Sequence, residues 1–165
     1  MIAGTRPMRR RTCLLAAMSL VAALLSWLPA DAAAQQSAAK GDVTIVSQSG
    51  EHVFHVEIVS TAEDMARGLM YRKNLAADAG MLFDYGHPQP ASFWMKNTLI
   101  PLDMIFIRAD GRIANIHERA IPHSLDPIPS DGPVRAVLEV NGGTASKLGI
   151  RAGDRVLSPI FGTAG

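Results

Sequence analysis

From residue 43 onward, the chain consists largely of short segments in which apolar and polar residues alternate, the pattern of half-buried β-strands. Residues 43–48 and 52–59 are rich in β-branched side chains and are separated by a Ser-Gly-Glu turn, so they predict a hairpin. In the second of these strands, Phe54, Val56 and Ile58 share the face that is predicted to point into the core.

Further strands are predicted over residues 80–85, 92–97, 102–108, 112–118, 134–140 and 154–158. Two short helices interrupt them. Thr61 is the predicted N-cap of the first, with Met65, Leu69 and Met70 spaced along one face, and Gly149 closes the second, 144–148, with an apolar contact from Ile150. The fold class is therefore mainly β, bordering on α+β: a compact, mostly antiparallel β-barrel or sandwich with two short helices.

One predicted connection is unusually long. Residues 120–133 contain four of the 10 prolines and no clear strand pattern. Loops of this length in compact domains are commonly functional, so we expect this segment to cover a site.

The N-terminus resembles a targeting segment. Four arginines precede an apolar stretch, residues 13–28, and Ala32 and Ala34 offer a small-residue cleavage site. The stretch of sixteen residues is shorter than the roughly 20 that a spanning helix needs. We therefore expect a signal peptide over residues 1–34 that is cut near Ala34, by the general secretory or the twin-arginine route, then a short linker over 35–42 and one globular domain over 43–161.

Charge and cysteine content exclude several classes of protein. Removing residues 1–34 leaves 16 − 4 = 12 basic and 15 − 1 = 14 acidic residues, a net charge near −2. This balance argues against nucleic-acid binding. Cys13 is the sole cysteine and leaves with the signal, so the mature domain would have no disulfide, thiol nucleophile or thiolate metal site.

Charged residues interrupt two of the most apolar predicted strands. Asp103 lies in a strand with two apolar faces, and Glu139 lies within an Ala-Val-Leu-Glu-Val segment. A buried charge is costly unless it is paired and hydrogen-bonded. Lys96 and Arg72 are candidate partners for Asp103, and Arg135 is predicted to share the face of Glu139.

Three interpretations of these residues stay open. They could form structural ion pairs that fix strand register. They could line a ligand pocket in which Trp94 provides a stacking face and Lys96, Asn97 and Asp103 provide polar contacts. Asp103 and Glu139 could instead act as acid and base in hydrolysis.

Two other polar clusters are candidate binding sites. His117, Glu118, His123 and Asp126 match no strong zinc spacing, so we predict no metal and no cofactor. The Asn-Gly-Gly-Thr-Ala-Ser segment at 141–146 leads a strand into a helix, a layout whose free amides can hold an anion, although paired glycines are more often a tight turn.

Several strings occur in order along residues 56–156: RGLMYR, GMLFDY, SFWMKNTLIPLDMIFI, AVLEVNGG and LGIRAGDRV. In these strings the chain resembles domain-of-unknown-function family 192. The resemblance implies a small, single-domain, mainly β protein, often behind a signal peptide, with no established reaction. The family's signature residues fall here on Gly68, Leu69, Met70, Arg72, Gly80, Met81, Phe83, Trp94, Met95, Lys96, Asn97, Thr98, Pro101, Asp103, Glu139, Gly143 and Gly153.

The main functional hypothesis is an exported, periplasmic or extracellular, non-enzymatic domain that binds an unknown small molecule or envelope component, with no membrane span after cleavage. The alternatives are a hydrolase acting on envelope glycans or esters and a structural envelope protein with an exposed apolar patch. The predicted ligand-binding residues are Arg72, Trp94, Lys96, Asn97, Asp103 and Glu139.

Overall fold

The computed structural model describes Met1 and residues 38–163. The predicted signal peptide and the start of the predicted linker thus lie outside the described residues, Met1 apart. The strands are β1 Ala39–Ser47, β2 Gly50–Val59, β3 Ala79–Phe93, β4 Leu102–Ile107, β5 Ile113–Ala120, β6 Ile128–Asn141 and β7 Arg155–Leu157. The helices are α1 Ala62–Arg67 and α2 Thr144–Leu148, and Pro159–Phe161 forms a 3-10 turn.

The strands form one sheet in the order β5-β4-β6-β3-β2-β1-β7. The mainly β prediction is confirmed, with one refinement: β2 and β3 run parallel, because the segment containing α1 carries the chain back across the sheet. The sheet curls until its edges meet. Ile113 donates to the carbonyl of Asp154 (3.0 Å), and Gly153 donates to that of Ile113 (2.8 Å), so β5 lies beside the start of β7.

Two apolar cores lie on the two faces of this curled sheet. The inner core receives side chains from all seven strands, including Phe54 of β2, Leu138 of β6 and Val156 of β7. The outer core lies against β3, β4 and β6 and is covered by loops that contribute Leu69 and Met95. Burying both faces explains why β4 is apolar throughout its length.

Local sequence signals predicted the hairpin and the positions of both helices, although α1 ends at Arg67 and so does not include Leu69 and Met70. The β1–β2 hairpin is confirmed, with Ser47 paired to Gly50. Thr61 caps α1 by accepting a hydrogen bond from the Asp64 amide (3.1 Å). Gly149 ends α2 in the left-handed conformation, and the next residue, Ile150, is buried.

Two predictions about the chain path are wrong. Residues 94–97 are not part of a strand, because β3 ends at Phe93 and the chain turns, with Thr98 donating to the carbonyl of Met95 (3.0 Å). The long connection is also shorter than predicted. β5 continues to Ala120, and β6 begins at Ile128 and pairs with β3, so only residues 121–127 form a loop.

Candidate functional site

The most unusual polar group in the domain is the carboxyl of Glu139. Glu139 lies on β6 in the centre of the sheet, in register with Met81 of β3 on one side and Met104 of β4 on the other. Both methionines belong to the outer core, so Glu139 points to that face. It is only 4% exposed. Among residues 38–163, its carboxyl has no hydrogen-bonding or ionic partner.

This isolation keeps Glu139 protonated at neutral pH. Burial disfavours the charged form and raises the pKa of the carboxyl to about 8. Burial, and secondarily the nearby Glu139 carboxyl, also raise the pKa of the Tyr85 hydroxyl to about 12. The site thus presents a neutral carboxylic acid, which can both donate and accept a hydrogen bond.

Glu139 faces a cavity of about 370 Å³ on the outer side of the sheet. Helix α1 and the chain just after it form one wall, β3 forms the floor with β6, and the segment after β3 closes the remaining side. The lining residues are Met65, Ala66, Arg67, Gly68, Leu69, Met70, Phe83, Tyr85, Ser92, Phe93, Trp94, Thr98 and Glu139. The walls therefore combine aromatic rings, thioethers and aliphatic groups with the polar groups of Arg67, Tyr85, Ser92, Thr98 and Glu139.

Gly68 is the residue that lets the chain form this wall. It follows α1 with a φ of 47°, a conformation that favours glycine. A Cβ atom at this position would lie 3.1 Å from Cζ of Phe83. The missing side chain allows the chain to turn directly over the Phe83 ring and to bury Leu69 beside it.

Asp103 is buried for a different reason. It is 0% exposed, and its carboxylate accepts hydrogen bonds from the backbone amides of Arg119 (2.8 Å), Gly143 (2.7 Å) and Ala145 (2.8 Å). Lys96 and Arg72, the candidate partners of Asp103, are therefore not its partners. The backbone amides of the 141–146 segment, a candidate anion site, thus bind the carboxylate of Asp103. This carboxylate joins β4 to β5 and to the start of α2.

Asp103 and Glu139 lie on opposite faces of the sheet. In β4, Asp103 alternates with Leu102 and Met104, which belong to the outer core, so its carboxylate points to the inner side. Glu139 points to the outer side, into the cavity. The two carboxyl groups therefore do not face a common space in which they could act as an acid and base pair.

The basic residues proposed as partners of these carboxyl groups have other contacts. Arg72 holds Glu57 through two hydrogen bonds of 2.6 Å each. These bonds lower the pKa of the Glu57 carboxyl and raise that of Arg72. Arg135 contacts Asp84 at 2.9 and 3.1 Å. The guanidinium of Arg135 is thus engaged on β3, and Glu139 stays without a counterion.

The structure brings together some of the predicted ligand-binding residues. Trp94 and Glu139 line the same cavity, and the ammonium nitrogen of Lys96 lies 5.1 Å from the centre of the Trp94 ring. The Asn97 amide lies 3.9 Å from the sulfur of Met70, at the edge of the cavity. Asp103 is not part of it, and Arg72 instead lines a separate hollow of about 590 Å³ with Glu57.

The sequence interpretation missed most of the apolar wall as a site. The spacing of Met65, Leu69 and Met70 predicts one helix face, and Phe83 falls in a predicted strand, which is the pattern of ordinary core residues. Only the family resemblance singled out Leu69, Met70 and Phe83 together. Tyr85 ends a predicted strand and is not among the family's signature residues, and in the structure it lies at an irregularity in the pairing of β3 with β6.

Unusual backbone conformations cluster beside this cavity. Tyr71, Asn97 and His123 have φ values of 63°, 56° and 65°. The Tyr71 amide donates to the carbonyl of Asn97 (2.9 Å), and the His123 amide donates to that of Met95 (3.1 Å), so three loops meet here. Positive φ at residues other than glycine costs free energy and concentrates at functional sites.

Two other features bear on function. Among residues 38–163, no three or more histidine, cysteine, aspartate or glutamate side chains are grouped so that they could hold a metal ion. The sequence candidates His117 and His123 lie on β5 and on the following loop. Within the same described part of the chain, no helix is both long enough and apolar enough to span a membrane.

Two solved structures are closely similar to this chain. One, from Sinorhizobium meliloti 1021, is described as a "putative transcription regulator"; it is 47% identical, has a TM-score of 0.73, and the match covers 75% of this chain and 97% of that one. The other, a protein of unknown function from Novosphingobium aromaticivorans DSM 12444, is 46% identical with a TM-score of 0.71, over 72% of this chain and 85% of that one. No curated protein matches the chain.

A family model covers nearly the whole sheet, from within β1 to the end of β7, and the cavity. It matches residues 44–158 and is described as "Uncharacterized ACR". The match extends from β1 through β7 and so includes α1, Trp94, Asp103 and Glu139. The resemblance read from the sequence motifs is thereby confirmed, and the chain belongs to domain-of-unknown-function family 192, DUF192.

Proposed function

We propose that this chain is a small-molecule-binding domain and that the cavity above Glu139 is its binding site. The observation that carries the proposal is a largely buried carboxyl group, without a partner among the described residues, that faces a cavity with aromatic and aliphatic walls and a few polar groups. Buried polar groups are normally hydrogen-bonded, and an unsatisfied one costs roughly 1–3 kcal/mol. The carboxyl oxygens of Glu139 still reach the cavity, since Ser158 Oγ is the fully buried side-chain atom without a partner among the described residues. A ligand in the cavity can therefore form a hydrogen bond with Glu139.

The cavity has the composition expected of a ligand site. Its volume of about 370 Å³ lies within the usual range for small molecules, and its aromatic and aliphatic walls are interrupted by a few polar groups, namely Arg67, Tyr85, Ser92, Thr98 and Glu139. The neighbouring backbone strain at Tyr71, Asn97 and His123 supports the same location.

Binding is favoured over hydrolysis by the arrangement of the carboxyl groups. Hydrolysis by Asp103 and Glu139 needs both groups on the same substrate. Asp103 is instead held by three backbone amides on the other side of the sheet. Glu139 alone can form a hydrogen bond or an ion pair with a ligand, but the cavity lacks the second carboxyl group that this hydrolysis requires.

A thermal-shift screen of the chain tests this proposal. We expect a ligand from a panel of amphiphilic amines, alcohols, carboxylates and envelope fragments to stabilise the wild-type protein, by roughly 2.7 kcal/mol at a concentration one hundred times its Kd. Trp94→Ala and Glu139→Gln should each reduce the shift, because both side chains line the cavity. Glu118→Gln, an exposed change on β5, should leave it unchanged.

Two results would count against the cavity as the site. One is a ligand whose stabilising effect is the same for wild type, Trp94→Ala and Glu139→Gln. The other is the absence of any stabilising ligand in the panel.

We also propose that the domain is exported. The basic start of the sequence, its apolar residues 13–28 and the Ala-x-Ala site support this. Expression of the full chain in a Gram-negative host should yield a periplasmic protein whose N-terminus, determined by sequencing, lies just after Ala34. Changing Ala32 and Ala34 to larger residues should block the cut, and a cytoplasmic protein that retains residues 1–34 would contradict the proposal.

A further inference from the structure

The walls of the Glu139 cavity are suited to a particular charge. Phe83, Tyr85, Phe93 and Trp94 contribute four aromatic rings. Aromatic faces carry negative electrostatic potential and attract cations, as Lys96 over the half-exposed Trp94 ring illustrates at the cavity rim. The thioethers of Met65 and Met70 add polarisable, weakly accepting surface.

The charged groups around the cavity also define where a cation would lie. Glu139, on β6, is the acidic residue among those that line it, and Tyr85, on β3, is a second titratable group. Arg67, at the end of α1, lines the cavity but is exposed to solvent, and Lys96 lies over the Trp94 ring. The positive groups are thus at the rim, and the acidic group is at the buried end.

Resting on the proposed binding function, we propose that the ligand is an organic ammonium ion, a positively charged nitrogen with an apolar substituent, whose charge lies between Glu139 and the aromatic rings. An ionised Glu139 would neutralise the ammonium group away from water, where the attraction between opposite charges is strong. The apolar substituent would contact Leu69 and the methionine side chains.

The observed isolation of Glu139 is what distinguishes this ligand class from others. A neutral alcohol could bond to the carboxylic acid but would leave the aromatic walls without a specific role. A carboxylate ligand would place a second negative group against Glu139, and the arginine that could receive it is exposed at the rim. An ammonium ion uses both the carboxyl group and the rings.

This ligand class predicts an exchange of protons. Unliganded Glu139 holds its proton at pH 7, because burial raises the pKa of the carboxyl to about 8. An ammonium ion favours the carboxylate and so lowers this pKa. Binding therefore breaks the O–H bond of Glu139 and releases its proton to the buffer, and the bound pair has no net charge.

Isothermal titration calorimetry tests the inference with three probes of equal chain length: hexyltrimethylammonium, hexanol and hexanoate. At pH 7, we expect the ammonium probe to bind at least about tenfold more tightly than the other two. Its measured enthalpy should differ between buffers of different ionisation enthalpy by an amount that corresponds to nearly one proton released. Glu139→Gln should abolish the proton release and weaken ammonium binding, and Glu118→Gln should change neither.

A second readout needs only the wild-type protein. Because Glu139 must lose its proton, affinity for hexyltrimethylammonium should rise as the pH rises toward about 8 and then level off. Tighter binding of hexanol or hexanoate, or ammonium binding without proton release, would overturn the ammonium assignment while supporting a binding cavity. If none of the three probes binds, and if Trp94→Ala weakens the binding of no other ligand, the inference and the proposed function are overturned together.

Discussion

Replacing Asp103 with asparagine is expected to lower the free energy of unfolding by about 2–3 kcal/mol, and replacing it with alanine by more. One oxygen of Asp103 accepts from Arg119 and Gly143, and the other accepts from Ala145. In either orientation, the asparagine amide would point a donor at a backbone donor. Alanine would leave all three backbone groups without their acceptor.

Chemical denaturation of wild type, Asp103→Asn and Asp103→Ala measures this effect. Asp131→Asn is the matched control, since Asp131 is exposed and its side chain makes no hydrogen bond among the described residues. The loss of stability should be cooperative and should expose α2. Among the polar contacts of the described residues, the Asp103 carboxylate is what joins the first turn of α2 to β4. An Asp103→Asn protein within about 0.5 kcal/mol of wild type would contradict the structural role.

The local parts of this fold could be predicted because neighbouring residues determine them. Thr61 and Asp64 cap α1 through contacts three residues apart, and Gly149 ends α2 by its own backbone conformation. The hairpin of β1 and β2 needs only a turn between alternating strands. Each of these signals is complete within about ten residues of sequence.

The chain after Phe93 could not be predicted in the same way. Residues 92–97 alternate as a strand does, but Asn97 adopts a positive φ, and the Met95 amide bonds to the carbonyl of Ser124. These contacts join positions that are far apart in sequence. The alternating pattern therefore predicted the burial of Met95 correctly, but it predicted the wrong backbone conformation.

The candidate site shows the same division. The sequence identified Asp103 and Glu139 as buried charges that require an explanation, and both are buried. It could not assign their partners, because every residue except proline has a backbone amide and the residue type does not show which amide will donate. Asp103 found its partners in the turn at Gly143, 40 residues away, whereas Arg135 bonds to Asp84 and leaves Glu139 alone.

The stability of the protein is expected to fall as the pH rises between 4.5 and about 8, because of Glu139. The folded-state pKa of this carboxyl is raised above its ordinary value of 4.5, so in that interval the unfolded chain has lost the proton that the folded chain retains. Stability then decreases with pH, by at most about 1.4 kcal/mol per pH unit. The contribution is fully present below pH 4.5 and is lost by about pH 8.

Denaturation curves of wild type and Glu139→Gln across this pH range isolate the effect. Glutamine is neutral throughout and keeps the size of the side chain, so the difference between the two proteins cancels other groups such as His55, whose pKa is raised by its hydrogen bond to Asp42. We expect Glu139→Gln to become the more stable protein at alkaline pH. Between acidic and alkaline pH, the free energy of unfolding of wild type should fall relative to that of Glu139→Gln by several kcal/mol. Glu118→Gln should follow wild type.

Parallel curves for wild type and Glu139→Gln would mean that Glu139 ionises in the folded protein as it does in water. The cavity would then already hold a charged carboxylate before any ligand arrives.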